Sequence, residues 1–517
     1  MFIIKKPFLH KSTTLLLSII CLLIITVALC INIKNRVTVY VSASQEINNA
    51  NNSTKGNSEN TITENKENES SKENNNFQNN NLEEDVNTNK EAFKTLAQDG
   101  KGILTPNVTK DQITSNYWTS IYNDNEILLT QDQINKINTY IIDNVDTVYD
   151  LSKYPDSISG SDLLKLINEY KLPSKTMYNY KGDPLTKDFY NKINENINKA
   201  SIKEDNKVQW GITVKKSSIR SFPTEVAAYN SSSNQKLDRF QETGINPCEA
   251  VAVLHVSADK NWCFVQSYNY RGWIHSSAVA LSEDKDTVFN YINSNEFLIV
   301  TAAILKINYN NDEINFMMGS KIPLAESNNN STHYLVKLPI KNAEGKLEFI
   351  EEKIANTIDV HLGYLPYTTY NVITEAFKFQ GFPYDWGDKY SGRDCSSFTS
   401  SVYRTFGIYL PRNTDEQEIS AADVIRFTAG ESYAQRIEAI EKLSPGSLFF
   451  MPDHTMMYLG KSGDKHYMIH AFLGYGVKNN DGIKFQPVYQ VAVTTVDLLN
   501  SKGNPYVNEF TSMIQFK

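Results

Sequence analysis

The chain has 517 residues, more than one domain's worth, with ordinary hydrophobic content (40%) and a net charge of −8. Without a basic patch, that balance argues against a nucleic-acid partner. No HExxH and no paired CxxC occurs, so neither a metal site nor a cofactor is expected.

In chain order, Lys5, Lys6, His10 and Lys11 precede an apolar run from Thr13 to Ile33 that carries no charge. At about 1.5 Å per residue the run can span a bilayer. Residues 1–43 therefore read as a signal peptide or a membrane anchor. The apolar core is longer than a cleaved signal normally has, and Val41-Ser42-Ala43 resembles a cleavage site lying far downstream. Leu29 beside Cys30 is not the small residue that a lipoprotein site needs. Either reading makes the membrane a partner through the N-terminal segment and places the remainder outside the cytoplasm. Residues 44–90 are mostly Asn, Glu, Ser, Thr and Lys, too polar to offset their ordering entropy, and read as a disordered tether with a span of roughly 40 Å.

From 91 to 205 the pattern turns helical. Ile134, Ile137 and Ile141 recur at three- and four-residue steps, as do Leu163, Leu164, Ile167 and Tyr170. From 206 to 283 short strands broken by turns take over, in WGITVKKSSIRSFPT, FQETGINPCEAVAVLHVS and WCFVQSYNYRGWIHSSAVA, which suggest a small β-barrel. RSFPT, DRFQET and YRGWI are similar to a bacterial SH3-like module. Residues 284–365, with FLIVTAAILKINY, MMGSKIPL and HYLVKLPI, resemble a second, diverged copy. Cys248 and Cys263 are either bonded or two buried free thiols.

The last domain, 366–517, opens with Thr368 capping a helix whose Val372, Ile373, Ala376 and Phe379 face inward and which ends before Gly381. Helices first and an antiparallel sheet afterwards make it α+β. Its centre is FPYDWGDKYSGRDCSSFTSSVYRTFGIYLPRN, residues 382–413. Phe398, Val402, Tyr403 and Phe406 share a helical face, and Gly407 stops the helix. Cys395 thus stands at a helix N-terminus, where the dipole favours a thiolate, although a lone cysteine is more often a buried structural one. Downstream, Leu448–Met451, His454–Gly460 and Tyr467–Phe472 read as strands. A three-residue loop Lys461–Gly463 sets His454 opposite His470 on one face, so that one histidine acts as base and the other orients it. His466, near the turn, reads as a surface residue.

PYDWG, DCSSF, LPRN, a Pro-Gly before a strand, HTMMYLG and IHA together resemble the NlpC-type family of papain-fold peptidoglycan endopeptidases. The resemblance implies Cys395 as nucleophile, His454 as base and His470 as orienting residue. Tyr384 corresponds to the family's active-site tyrosine, whose hydroxyl would join the Cys395 N–H in holding an oxyanion. Asp394, before the nucleophile, is a substrate-binding candidate with a competing role as helix cap, and Ser396 is another such candidate. Asp388, Ser397 and Met456 stand where many relatives have glycine. These departures, and Asn116-Tyr117-Trp118, resemble the subgroup with upstream SH3-like domains and a helical N-terminal domain. There the first SH3-like domain borders the site and reads a free amino terminus, which falls here on Glu242 and on Tyr268 or Tyr270. The implied architecture is multidomain: a helical N-terminal domain, two SH3-like β-barrels and a papain-like catalytic domain. The implied activity is hydrolysis of the γ-D-glutamyl–diamino acid bond in peptidoglycan stem peptides or muropeptides. A catalytically silent wall-binding protein, or an amidase or acyltransferase on the same fold, is the alternative.

Overall fold

The computed structural model describes residues 102–517 except 124, 311 and 326–331, and all of these fall within the second of two units, Glu73–Lys517. The apolar run of 1–43, the tether of 44–90 and the first part of the helical stretch lie outside the described residues. Among the described residues no helix is long and apolar enough to cross a membrane.

The helical stretch contains α1 (Ser115–Ile121), α2 (Gln131–Asn144), α3 (Gly160–Ile167) and α4 (Lys187–Asn196). Side-chain caps explain where the last three start. Thr130 and Gln133 form a capping box on α2, and Ser159 and Thr186 accept the N–H of the third residue of α3 and α4. The helices close no core of their own. Trp118, Ile134 and Ile141 are buried with the C-terminal domain, whereas Leu163, Ile167 and Ile193 are buried with the first barrel. A helix with one apolar stripe needs a partner surface, and here the stretch is split between two.

The barrel comprises β1 (Gln209–Thr213), β2 (Ser217–Arg220), β3 (Gln241–Ile245), β4 (Ala250–Val256), β5 (Trp262–Gln266), β6 (Arg271–His275) and β7 (Val279–Leu281), paired antiparallel in the order β3-β2-β6-β5-β4-β1-β7. Both faces are buried, which is why β4 and β5 read as nearly unbroken apolar runs rather than alternating ones. Val251, Val253, Cys263, Val265 and Ile274 fill one side; Ala252, Leu254, Phe264 and Trp273 pack with α3 and α4 on the other. Cys248 belongs to this second core and Cys263 to the first, and both are free thiols. Residues 297–362 form a three-stranded sheet and two hairpins, 304–317 and 333–355.

The C-terminal domain is α+β. Its sheet runs β8 (Val424–Arg426), β9 (Leu448–Met451), β10 (His454–Ser462), β11 (Lys465–Asn479), β12 (Gly482–Thr495) and β13 (Ser512–Ile514), in the order β8-β13-β9-β10-β11-β12. Two helices, α5 (Thr369–Phe377) and α6 (Cys395–Arg404), cover one face: Val372, Ile373, Phe398 and Val402 meet Leu448, Met457, Leu459, Ile469 and Val493. Thr368 caps α5 by accepting the Asn371 N–H at 3.1 Å. Gly407, at φ +87, ends the turn after α6.

Candidate active site

Cys395 is the first residue of α6, and the cap before it is built from side chains. Asp394 Oδ1 accepts the Ser397 N–H at 2.9 Å while Ser397 Oγ accepts the Asp394 N–H at 3.0 Å, a reciprocal capping box. Asp394 is therefore a helix cap, and it does more. Arg412 Nη2 donates to its Oδ2 at 2.6 Å, the Gly387 N–H donates to the same oxygen at 3.1 Å, and Arg412 Nη1 donates to Ser396 Oγ at 2.8 Å. Burial works against the charged carboxylate, but the Arg412 charge and these hydrogen bonds hold Asp394 below the usual carboxylate range. Ser397 Oγ also donates to Asp388 Oδ1.

The thiol contradicts a simple helix-dipole argument. Cys395 is buried, and burial together with the neighbouring Asp394 charge pushes it up to about 11. The Thr455 N–H, the Thr414 hydroxyl (Sγ to Oγ1 3.7 Å) and Arg412 pull the other way without prevailing. The free site thus holds a thiol. Thr455 is the residue after His454, so the sulfur lies against the strand end that carries that histidine.

His454 and His470 are brought together: His454 Nε2 lies 2.7 Å from His470 Nδ1, and His470 Nε2 lies 3.0 Å from Thr494 Oγ1. Burial pushes His454 down to about 4, and burial plus the neighbouring His454 pushes His470 well below its ordinary value. Both rings are neutral at pH 7. The register differs from the three-residue-loop expectation, however. Ser462 pairs with Lys465 across a two-residue turn, a bulge falls between Tyr458 and Gly460, and beyond it Met457 pairs with Ile469. Continuing that register sets His454 diagonal to His470 rather than opposite it. His466 is not a surface residue: it is 3% exposed, with Nδ1 2.8 Å from the Tyr458 hydroxyl, because Glu441, Lys461 and Tyr458 close over the turn end of the sheet.

Tyr384 is fixed by its N–H donating to the Tyr489 carbonyl at 2.9 Å, and burial first, then the adjacent Cys395 and Asp394, raise its hydroxyl well above the ordinary value. On the barrel side, Glu242 and Tyr270 meet. The Tyr270 hydroxyl donates to Glu242 Oε2 at 2.5 Å, and the Ser221 hydroxyl donates to Oε1. Tyr268 points elsewhere. Two residues along in an irregular turn, its ring packs edge-on against Tyr409 at 5.6 Å and lies under Arg404. The barrel touches the site directly: Gln241 Nε2 donates to the Gly387 carbonyl at 2.8 Å, and Arg412 Nε to Thr243 Oγ1 at 2.6 Å. Arg412 and Thr494 escaped the sequence reading. Arg412 stands inside the LPRN motif, which was a findable signal; Thr494 had none, since only strand register brings it to His470.

Residues 381–494 match the NlpC/P60 family model, and residues 228–275 match that of the SH3 domain, SH3b1 type. A dipeptidyl-peptidase 6 of Lysinibacillus sphaericus is 29% identical over 134 residues, covering 25% of this chain and 43% of the relative, so less than half of that relative's length is spanned. Among solved structures, an NlpC/P60 endopeptidase from Photobacterium damselae subsp. piscicida is similar with a TM-score of 0.63 at 19% identity, over 77% of this chain and 96% of that one, which is a likeness of fold. An NlpC/P60 family protein from Bacillus cereus is 17% identical with a TM-score of 0.42, over 59% of this chain and 99% of that one. The chain carries an NlpC/P60 family domain with an SH3 domain of the SH3b1 type upstream of it.

Proposed function

We propose that the chain is an extracytoplasmic cysteine endopeptidase that hydrolyses the γ-D-glutamyl–diamino acid bond of peptidoglycan stem peptides or muropeptides. The observation that carries this reading is the His454–His470 pair at 2.7 Å beside the strand end that meets Cys395. It supplies a cysteine with a base and the base with an orienting group.

The tautomers follow from the hydrogen bonds. For His454 Nδ1 to hold a lone pair toward the thiol, its proton sits on Nε2 and is donated to His470 Nδ1. His470 then carries its own proton on Nε2 and donates it to Thr494 Oγ1. His454, neutral in the free site and so able to accept, takes the thiol proton only as sulfur attacks the γ-carbonyl carbon. The S–C bond forms, and the carbonyl electron pair moves to oxygen. The Cys395 N–H, in the first turn where no intrahelical acceptor exists, and the Tyr384 hydroxyl would hold that oxyanion. Collapse breaks the C–N bond, and His454 returns its proton to the departing amine. Water then attacks the thioester, giving its proton to His454; the C–S bond breaks, the D-glutamyl γ-carboxyl product leaves, and His454 returns the proton to sulfur, which restores the thiol. In this reading Glu242 and Tyr270 receive the substrate's free ammonium group, Asp394 and Ser396 border the acyl side, and Tyr268 has a packing role.

The test is incubation of the full chain, with Cys395→Ala as control, with purified peptidoglycan and with L-Ala-γ-D-Glu-diamino acid peptides, products being identified by mass spectrometry. Cleavage after D-Glu by the unmutated chain alone is the expected result. Wall binding without any cleavage would instead make it a binding protein.

A further inference from the structure

Burial and the Asp394 charge both oppose a sulfur anion at Cys395, yet the reaction just described puts negative charge on that sulfur as its proton leaves. A buried charge needs donors of its own. Two lie against the sulfur: the Thr455 N–H, and the hydroxyl of Thr414, whose Oγ1 is 3.7 Å from Sγ. Among the described residues the Thr414 side chain makes no other hydrogen bond. It does not cap its own helical turn, Thr414–Gln417, whose start is closed by Glu416 Oε2 accepting the Asn413 N–H at 3.0 Å. The chain is fastened to α6 on both sides of Thr414. Before it, Arg412 holds Asp394 and Ser396. After it comes Gln417, fully buried, whose Oε1 accepts from the Thr399 hydroxyl at 2.9 Å. Its Nε2 lies 3.0 Å from the Ser396 carbonyl oxygen, 2.9 Å from Ser400 Oγ and 2.9 Å from the Pro411 carbonyl oxygen. A buried amide with both polar atoms engaged fixes the turn around it, and that turn sets one half-buried hydroxyl on the nucleophile.

We propose that Thr414 is a further catalytic residue, whose hydroxyl donates to the Cys395 sulfur and stabilises the charge that builds there as the proton passes to His454. The inference rests on Cys395 being the nucleophile of the reaction proposed above. That step also sets the direction of the hydrogen bond. The S–H proton points to His454, so sulfur turns a lone pair to Thr414, and the proton between the two side chains is the threonine's. Thr414 keeps that proton throughout. The S–H bond breaks toward His454 and the S–C bond forms, while the O–H···S contact strengthens with the charge and weakens again once sulfur is part of a neutral thioester. Neither the resting thiol nor the thioester carries the charge that Thr414 meets, so the contact favours the transition state over the states on either side of it.

The experiment compares the full chain with Thr414→Val, which keeps the shape and removes the donor, and with Thr414→Ser, which keeps the donor. The first readout is the rate at which iodoacetamide alkylates Cys395 at neutral pH, located by peptide mapping, and it needs no substrate. Losing one donor to a charged acceptor lowers the thiolate population about tenfold. The thiolate that remains is more basic and, at a Brønsted coefficient of about 0.4–0.5, about threefold more nucleophilic, so alkylation should slow about threefold in Thr414→Val. The second readout is turnover of the tripeptide L-Ala-γ-D-Glu-diamino acid, where kcat should fall about three- to tenfold with KM within a factor of about two. Thr414→Ser should restore both rates. Alkylation in Thr414→Val at or above the wild-type rate would overturn the assignment, because the hydroxyl would then not be donating to sulfur. An equal loss in Thr414→Ser would overturn it too, by tracing the effect to packing. Slowed alkylation beside an unchanged kcat would overturn the catalytic role. Absence of Cys395-dependent cleavage by the unmutated chain would overturn the endopeptidase reading and that role with it, the alkylation rates still deciding whether Thr414 donates to the sulfur.

Discussion

Arg412 Nε donates to Thr243 Oγ1 at 2.6 Å, and its other two nitrogens hold Asp394 and Ser396, the residues on either side of Cys395. One buried guanidinium therefore ties a strand of the SH3 domain to the start of α6. The domain upstream is part of the site's framework rather than a separate tethered module. Thr243 is 4% exposed, so Thr243→Val keeps the shape and leaves a buried charged donor unsatisfied. We expect kcat/KM on the tripeptide to fall about tenfold, near 1.4 kcal/mol, with the protein still folded by circular dichroism. Thr243→Ser should restore most of it. Unchanged kinetics in Thr243→Val would mean that Asp394 and Ser396 alone fix Arg412.

Gly387 lies on the same seam at φ +64, where an added Cβ would meet Gln241 Cγ at 2.7 Å and the Glu242 carbonyl oxygen at 3.1 Å. Gly387→Ala therefore combines a left-handed backbone penalty of about 1–2 kcal/mol with displacement of the strand that carries Glu242. Gly345→Ala is the matched control: φ is +84, and the nearest atom is the flexible Lys341 Cε at 3.5 Å. We expect Gly387→Ala to lower the melting temperature more than Gly345→Ala and to lose most activity, with Gly345→Ala active. Equal losses in the two variants would show that backbone strain alone matters at Gly387.

The thiol's acidity sets a pH profile. Cysteine is charged when deprotonated, so an upward shift to about 11 removes thiolate at neutral pH. Alkylation of the free protein by iodoacetamide should accelerate about tenfold per pH unit between pH 6 and 9, with no plateau on the acid side. Peptide mapping separates Cys395 from Cys248 and Cys263, which burial pushes up to about 12 and about 11. A rate that is fast and flat from pH 5 to 7 would mean instead that a thiolate–imidazolium pair forms in the resting site.

Tyr384 is asked to serve only in the transition state. Removing one donor of an oxyanion site costs about 10² to 10³ in turnover. Tyr384→Phe should therefore lower kcat by that factor with KM little changed, and a variant with wild-type kcat would take the hydroxyl out of the mechanism.

Three strands of the six-stranded C-terminal sheet were legible in the sequence: Leu448–Met451 is read to the residue, His454–Gly460 and Tyr467–Phe472 fall inside the longer β10 and β11, and the helix after Asp394 begins where its cap says. Register was not. The turn falls at Gly463-Asp464 rather than at Lys461–Gly463 and shifts the pairing by three residues, an odd number that by itself would send His470 to the other face. The bulge at Leu459 takes one residue back, and the net shift of two restores the shared face. The histidines meet, but for a reason that period-2 counting could not supply. Likewise the burial of His466 and the split of the N-terminal helices between two cores arise from contacts far apart in sequence, which local pattern does not encode.

Thr494 tests the tautomer argument. Its hydroxyl is fully buried and lies 3.0 Å from His470 Nε2; in the proposed tautomer it accepts the Nε2 proton and so leaves Nδ1 of His470 free to accept from His454. Thr494→Val is close in shape and removes the acceptor. His470 then loses its reason to carry the proton on Nε2, and the opposite tautomer, donating from Nδ1 to His454 Nε2, forces the His454 proton onto Nδ1, where a base is needed. The cost is set by one neutral hydrogen bond, about 0.5–1.5 kcal/mol, so kcat should fall about two- to tenfold. Because the fault is in protonation rather than binding, KM should stay within a factor of about two, the pattern for an interaction made only in the transition state. Heteronuclear NMR of the imidazole nitrogens should show His454 moving from the Nε2–H form toward the Nδ1–H form in the variant. An Nε2–H form that persists together with a lowered kcat would place the effect in packing around His470 and not in its proton.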